Sequence, residues 1–279
     1  MSLRAARCYG ARTMHAPARS PDAIPPELLL LAYRSGIFPM ADHREDAEVY
    51  WVEPRERAII PLDGFRLSKS LSKTLRQDRF RVSCNEAFAE VIAECAAPRE
   101  EHAESWISRR VEASYRALHA HGHAHSIECW LAGKDGRERL AGGLYGVAFD
   151  RVFCGESMFS RADNASKVAL AWLVAGLRRA GYALLDCQFM TEHLATLGAV
   201  PLPQADYLAR VKAARGAPAC TLPQAVESFA ASGVAAGDGE ALGRGVGLGA
   251  GVAAGAGAAS ASPASSPGKA IAQSLTQTS

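Results

Sequence analysis

The chain has 279 residues, a formal net charge of +2, and 48% hydrophobic and 22% charged residues. This balance is typical of a globular protein, and no apolar run approaches the roughly 20 residues that span a bilayer, so no membrane segment is predicted. The cysteines are scattered without a C-x-x-C pair, which argues against a disulfide framework or zinc site and favours a reducing cytoplasm. The small positive excess excludes wholesale coating of nucleic acid but allows one local basic face.

The two ends of the chain differ in composition from the middle. Residues 1–24 are rich in arginine and lack the apolar core of a secretory signal, so they are predicted to form a flexible extension. From residue 216 onward the chain is dominated by Ala, Gly and Ser. Such a segment has too few large side chains to offset the entropy lost on ordering the backbone. Residues 216–279 are therefore predicted to be a disordered tail.

Helical periodicity predicts the elements of the first half. Apolar residues recur at helical spacing over 28–35, 67–78 and 86–96, and over a fourth segment that begins near residue 108 and ends before Gly122.

The period then changes from helical to alternating. Residues 126–131, 140–149 and 152–158 are predicted to be strands of an antiparallel meander, because turn residues separate them. A helix over 165–180 and a further strand over 182–188 follow.

Two polar residues stand out in the last predicted strand. Because side chains alternate along a strand, Asp186 and Gln188 point to one face of an otherwise apolar segment. Buried polar groups cost free energy unless they are hydrogen-bonded or used in function. The pattern leaves open whether they satisfy a neighbouring backbone or perform chemistry.

A single carboxylate marks the third strand of the meander. Glu156 follows Gly155, whose lack of a side chain lets a ligand approach the backbone. Such a carboxylate can hold an ammonium group or handle its proton. The residues alone favour the simpler alternative, an ion pair with Lys167 or Arg161.

Two further sets have a functional and a plain interpretation. One predicted helix carries a basic face made of Lys69, Lys73 and Arg76, with Arg66 just before it. This face can contact successive phosphates of an RNA backbone, or it can be an ordinary solvated helix face.

Four histidines alternate across a predicted helix end, namely His119, His121, His123 and His125. Their rings cannot share one regular face, so no metal site is predicted.

Several segments together resemble the bacterial leucyl/phenylalanyl-tRNA protein transferases. The matching segments are LAYRSGIFP at 31–39, WIS at 106–108, GHAHSIE at 122–128, GGLYGV at 142–147, FCGESMFSR at 153–161 and LDCQ at 185–188. Within the first segment's continuation, Met40 stands where a Trp is common in the family.

The resemblance implies transfer of Leu or Phe, and less readily Met, from aminoacyl-tRNA to proteins beginning with Arg or Lys. The product would enter N-end rule degradation. The implied fold is α+β, with a small N-terminal domain, expected over 25–66, followed by an acyl-CoA N-acyltransferase-like (GNAT-like) catalytic domain, expected over 67–215. No cofactor and no metal are implied; the expected partners are Leu-tRNA, Phe-tRNA and the acceptor proteins.

The resemblance also implies residue roles. Asp186 and Gln188 look like the catalytic pair, and Glu156 like the residue that positions the acceptor amine. Trp106 and Tyr115 are expected to stack on the terminal adenosine of the tRNA, and the basic residues around Lys73 to contact its acceptor stem. A pocket for the Leu or Phe side chain is expected from Leu144, Phe153, Met158, Leu170, Leu173 and Leu177.

Two other functions are weighed against this one. A CoA-dependent N-acetyltransferase is disfavoured because residues 160–164 lack the Gly-rich pyrophosphate loop such an enzyme places before this helix. An RNA-binding module that has lost catalysis is motivated by the departure at Met40.

Overall fold

The computed structural model describes residues 12–15, 23–98, 104–234 and 266–276, and for 12–15 and 232–234 only the backbone. Its elements in chain order are β1 Arg12–His15, α1 Pro26–Arg34, β2 Phe38–Met40, β3 Tyr50–Glu53, β4 Glu56–Ile60, α2 Lys69–Arg76, β5 Arg81–Cys84, α3 Phe88–Ala96, α4 Arg109–Ala120, β6 Ala124–Ala132, β7 Glu138–Phe149, β8 Val152–Ser160, α5 Ala165–Ala180, β9 Leu184–Gln188, α6 Glu192–Thr196, β10 Val200–Pro203, α7 Gln204–Ala213, α8 Leu222–Val234 and α9 Pro267–Thr276. Among these helices none is both long and apolar enough to cross a bilayer.

A seven-stranded sheet in the order β10-β4-β9-β8-β7-β6-β5 organises the main domain. Neighbouring strands are antiparallel except β8 and β9, which α5 connects and which run parallel. The predicted meander, helix and strand are thereby confirmed, with ends that differ by a few residues. The coarser prediction of a mixed α and β protein with a small N-terminal domain and a main sheet domain is also confirmed.

The boundary between the two domains differs from the predicted one. A small antiparallel sheet in the order β1-β3-β2 belongs to the N-terminal domain, but β4 lies in the large sheet between β10 and β9. The reason is that β4 pairs with β9, and its residues Ala58, Ile59 and Ile60 are buried in the main domain. The N-terminal domain therefore ends before Glu56 and not at residue 66.

The predicted N-terminal extension is only partly described. Residues 12–15 form β1, which pairs with β3, so this part of 1–24 is ordered. Residues 1–11 and 16–22 lie outside the described residues.

Helices cover both faces of the large sheet. On one face α5 packs against β6, β7 and β8, and its buried side includes small residues that allow close approach. On the other face α3 packs against β6, β7 and β8, and α4 packs against β6. Helix α1 packs on α4 and on β2 of the small sheet. Two hydrophobic clusters result, one between the sheet and α5 and one between the sheet and the N-terminal helices.

Two helices contradict the prediction of a disordered tail over 216–279. In α8, Leu222, Ala225, Val226 and Phe229 recur at helical spacing and are buried against α5. At Gly176 of α5 a Cβ atom would lie only 3.0 Å from Leu222, so the glycine permits this close packing. Composition averaged over the tail hid these few large side chains. Residues 235–265 and 277–279 lie outside the described residues.

Helix α9 returns the chain to the main domain and packs on α2, α5 and α8. The Gly268 amide donates to Asp78 Oδ1 at 2.7 Å, just beyond the end of α2, and Arg178 Nη1 donates to the Ser274 carbonyl at 2.8 Å. Ile271 and Leu275 are buried in the same cluster as α5. The far C-terminal segment is thus part of the core.

We expect Leu275→Ala to lower the free energy of unfolding by about 2–4 kcal/mol, because the lost methyl groups leave a cavity in a packed cluster. Gln273→Ala, at an exposed position of the same helix, should change it by less than about 0.5 kcal/mol. Denaturant unfolding of both variants measures the difference. Equal stability of the two would mean that α9 is not held by its apolar face.

Candidate active site

Side chains from three other elements of the fold converge on the carboxyl group of Glu156 in β8. Tyr33 Oη of α1 donates to Glu156 Oε1 at 2.8 Å. Glu156 Oε2 accepts from Tyr115 Oη of α4 at 3.0 Å and from Gln188 Nε2 of β9 at 2.9 Å. The two tyrosine oxygens are themselves 2.6 Å apart. We call Tyr33, Tyr115, Glu156 and Gln188 the Glu156 cluster.

A β-bulge directs Glu156 into this cluster. In the pairing of β7 with β8, Gly146 lies opposite Gly155 and Tyr145 lies opposite Ser157, so Glu156 is the extra residue without a partner. Gly146 makes the close approach possible, because a Cβ there would lie 2.3 Å from the Cys154 carbonyl oxygen. Bulges re-aim side chains and are common beside active sites.

A second irregularity sets the conformation of Gln188. The pairing of β4 with β9 shifts between Ala58 and Ile59, and Gln188 has a φ of 63°, in the left-handed region. This region disfavours residues other than glycine, so it needs compensation. The compensation comes from a hydrogen bond that the main-chain amide of Gln188 donates to Asp186 Oδ1 at 2.8 Å.

A buried ion pair lies beside the cluster. Arg57 and Asp186 have no exposed side-chain surface, and Arg57 Nη2 lies 2.8 Å from Asp186 Oδ2. Tyr207 Oη also donates to Asp186 Oδ2, at 3.2 Å. Burial is the strongest single influence and acts to lower the pKa of Arg57, but the contributions of Asp186, Tyr207 and Cys154 together outweigh it and raise that pKa above its ordinary value. Because Asp186 has no exposed surface, it lies in the protein interior next to the site and does not line it.

The protonation of Glu156 follows from its surroundings. Burial raises its pKa to about 7, with help from the charge of Asp186, although the hydrogen bonds from Tyr33, Gln188 and Tyr115 act against the shift. Two hydroxyl hydrogens satisfy only two of the three contacts among Tyr33, Tyr115 and Glu156. When the Glu156 carboxyl is protonated, it donates to one tyrosine, that tyrosine donates to the other, and the second tyrosine donates back to the carboxyl. All three contacts are then satisfied, in agreement with the raised pKa.

The structure excludes the simpler prediction for Glu156. Arg161 pairs with Glu94, with Nε 2.9 Å from Oε2. Within the described residues, Glu156 forms no ion pair. Its partners are neutral hydroxyl and amide groups.

The structure places Tyr115, which was predicted to stack on a tRNA base, inside the core. Tyr115 has no exposed surface, and its ring packs edge-on against Tyr145 at 5.5 Å between centroids. Its hydroxyl group is committed to Glu156. Trp106, the other residue predicted for stacking, is half-buried, and its carbonyl accepts from the Ala41 amide at 3.2 Å.

The predicted side-chain pocket is largely core. Leu144, Phe153, Leu170, Leu173 and Leu177 are at most 3% exposed and pack in the cluster between the sheet and α5. Tyr33 and Tyr115 belong to the other cluster. Because close-packed side chains leave no room for a ligand, these five residues do not form an open pocket. Met158, the sixth, is half-buried.

The predicted basic face of α2 is exposed. Arg66, Lys69, Lys73 and Arg76 all reach solvent, and spacings of four and three residues put the last three on one side of the helix. An open groove runs along this side and is lined by Leu67, Lys69, Ser72, Lys73, Arg76, Gln77 and Thr276. Thr276 comes from α9, so that helix contributes one residue to the lining of the groove.

The histidine set does not converge. His119 stacks on Phe88 at 4.1 Å between ring centroids, and burial lowers the pKa of His125 to about 4, so that ring is neutral near pH 7. The described part of the chain contains no group of three or more His, Cys, Asp or Glu arranged to hold a metal ion.

Sequence reasoning missed three residues of this region, namely Tyr33, Arg57 and Tyr207. Tyr33 lies in a segment that carries the family resemblance, but nothing in the pattern gave it a role. Arg57 had a usable signal, because an arginine directly before the apolar run at 58–60 is costly to bury without a partner. Tyr207 had none, since a tyrosine in an amphipathic helix is ordinary.

The fold shows a weak likeness to a solved structure, the crystal structure of FemX. The TM-score is 0.44 at 13% sequence identity, and the match covers 54% of this chain and 60% of that one. A TM-score at this level does not establish a shared fold.

The amino-acid sequence shows a much stronger relationship. The family model described as leucyl/phenylalanyl-tRNA protein transferase matches residues 59–212, and the model of that family's N-terminal domain matches residues 22–55. A leucyl/phenylalanyl-tRNA--protein transferase of Novosphingobium aromaticivorans is 59% identical over 269 residues, which are 93% of this chain and 98% of the relative. One of Rhizorhabdus wittichii is 58% identical over 194 residues, 70% of this chain and 76% of the relative. The chain therefore belongs to the leucyl/phenylalanyl-tRNA protein transferase family.

Proposed function

We propose that this chain transfers leucine or phenylalanine, and less readily methionine, from aminoacyl-tRNA to the N-terminal Arg or Lys of acceptor proteins in the cytoplasm. The product would carry an N-terminus that the bacterial N-end rule marks for degradation. Membership of the family supports the reaction class. The observation that carries the proposal is the Glu156 cluster, a buried carboxyl group with neutral partners and a small exposed surface.

The reaction needs a proton acceptor more than a nucleophilic side chain. The acceptor's α-amine nitrogen attacks the ester carbonyl, the new C–N bond forms, and the bond to the 3′-terminal ribose oxygen breaks. The nitrogen loses one proton, and the ribose oxygen gains one. A positioned group with a pKa near the working pH suits both transfers.

Glu156 is the group best suited to that task. It is 8% exposed, Gln188 is 6% exposed and Asp186 is 0% exposed. Glu156 and Gln188 can therefore meet the substrate, Glu156 as holder of the amine and acceptor of its proton and Gln188 as a hydrogen-bonding partner. Asp186, proposed from the sequence as catalytic, is fully buried and acts through its contact with the main chain of Gln188.

The proposed tRNA contacts are Trp106, for stacking on the terminal adenosine, and the basic groove along α2, for phosphates. Arg66, Lys69, Lys73 and Arg76 supply the groove's charge. Met158 alone among the six residues proposed for the amino-acid pocket has surface to offer a Leu or Phe side chain.

The backbone before α5 argues against the alternative of a CoA-dependent N-acetyltransferase. The Arg161 and Ala162 amides both donate to the Ala141 carbonyl, at 2.7 and 3.2 Å, and the Ala165 amide donates to Ala162 at 3.1 Å. These amides are not free to bind a pyrophosphate.

We propose that the main domain nevertheless has a GNAT-like architecture. The proposal is supported by the meander β6–β8, the helix α5 and the parallel strand β9.

Transfer of labelled leucine from Leu-tRNA to a peptide that begins with Arg tests the proposed function. We expect the wild type to label the peptide without CoA or metal. Glu156→Gln, which preserves shape, should lower kcat at least about 100-fold because it removes the proton acceptor. A wild type that binds Leu-tRNA but labels no peptide would instead identify an RNA-binding module.

The raised pKa of Glu156 predicts a pH dependence. Below its ordinary value of 4.5 the carboxyl is protonated in folded and unfolded states, whereas up to about 7 only the folded state holds the proton. This contribution to stability is lost as the pH rises through about 7, while the reactive carboxylate appears. Relative to Glu156→Gln, the wild type should lose stability as the pH rises from 4.5 to about 7, and its kcat should rise as the carboxylate forms near pH 7. A rise due only to the acceptor amine, near ~8, would occur equally in both proteins.

Lys73→Ala should weaken tRNA binding and reduce the slope of log K against log salt by about 1, because one phosphate contact is lost. Lys134→Ala, at an exposed position of the hairpin between β6 and β7, is the matched control and should leave the slope unchanged. Titrations at several salt concentrations measure both. An unaltered slope for Lys73→Ala would remove α2 from the interface.

A further inference from the structure

We infer that Arg57 is a positioning residue of the transfer reaction: it fixes the Asp186 carboxylate, which in turn holds the main chain of Gln188 so that its side chain faces Glu156. The inference rests on the proposed function. Arg57 touches neither Glu156 nor, with no exposed surface, any substrate. It acts through the two residues between.

Two aromatic rings and two hydrogen-bonding partners constrain the orientation of the Arg57 guanidinium group. Its central carbon lies over the Phe38 ring at 5.0 Å and over the Tyr207 ring at 4.4 Å. Nη2 is aimed at Asp186 and also donates to Tyr207 Oη at 3.1 Å. Nε and Nη1 are buried without a hydrogen-bond partner. The two ring faces offer partial compensation to this delocalised cation.

The two oxygens of Asp186 have separate tasks. Oδ2 accepts from Arg57 and Tyr207, whereas Oδ1 accepts from the Gln188 amide. A carboxylate group can accept hydrogen bonds at both oxygens, and Arg57 supplies the opposite charge that compensates it in this buried place. If Asp186 lost this support, Oδ1 would no longer hold Gln188 in its left-handed conformation.

A purely structural role for Arg57 is the competing explanation, because the ion pair also joins the neighbouring strands β4 and β9. The two explanations differ in one measurable respect. If Arg57 acts through Gln188, its replacement has no further effect on kcat once the Gln188 side chain is absent. If Arg57 only supports the fold, the two effects multiply.

The experiment is a double-mutant cycle of Arg57→Lys and Gln188→Ala, with kcat measured at saturating Leu-tRNA and peptide. Arg57→Lys keeps the positive charge but loses the planar group stacked between two rings. We expect kcat to fall about 10-fold for Arg57→Lys and about 100-fold for Gln188→Ala, since small displacements of positioned groups are costly. The double variant should match Gln188→Ala within about twofold. A double variant near the product of both effects would overturn the inference.

Two further measurements separate positioning from general damage. The KM for Leu-tRNA should change less than about twofold in Arg57→Lys, because Arg57 and Asp186 are fully buried and are not among the residues that line the basic groove. Arg139→Lys, an exposed ion-paired residue of the hairpin, should keep wild-type kcat. If the KM rises in step with the fall in kcat, the inference fails.

A second background guards against a variant that does not fold. Arg57→Met combined with Asp186→Leu removes both buried charges together and also removes the oxygen that accepts from the Gln188 main-chain amide. This pair should fold with lowered kcat, and adding Gln188→Ala should then lower kcat less than about twofold more. A further large loss would contradict the inference. An inactive wild type would refute the proposed function itself, whereas an active wild type with multiplying effects would refute only the role of Arg57.

Discussion

The Arg57–Asp186 ion pair is the constraint around which the site is arranged. Both side chains are fully buried, so each charge depends on the other for compensation. The pair joins β4, the first strand of the large sheet along the chain, to β9, which comes after the entire meander. Through Phe38 and Tyr207, which flank the guanidinium group, it also fixes the small N-terminal sheet and α7 against the same point. The conformation of Gln188 depends on this arrangement.

The Glu156 cluster exists because two strand ladders are interrupted at neighbouring places. One bulge removes Glu156 from regular pairing in β8, and the other shifts β9 against β4 beside Gln188. The parallel pairing of β8 with β9 ends at Cys154 and Asp186, just before these residues. In regular strands, the side chains of Glu156 and Gln188 would simply follow the alternation of the pleat from one sheet face to the other. The interruptions bring a carboxyl and an amide group together and leave them slightly exposed, as a substrate requires.

The C-terminal helices extend the main domain beyond the region that the family model covers, which ends at residue 212. Helix α8 packs on α5, and α9 packs on α2, the helix that carries the basic groove. A few large residues, such as Phe229 and Leu275, suffice because small residues elsewhere allow the helices to approach closely. The tail is therefore coupled to the proposed tRNA surface through shared packing.

The sequence by itself determined the meander, the helix α5, the strand β9 and the family, because periodicity and motif residues are local properties of the chain. It also singled out Glu156, Asp186 and Gln188. Only the tertiary structure decided how these three differ, that Tyr115 binds Glu156 instead of a base, and that the predicted pocket is mostly core. It also revealed Arg57. Burial, ion pairing and hydrogen-bond direction depend on which distant residues meet, and no local pattern encodes those meetings.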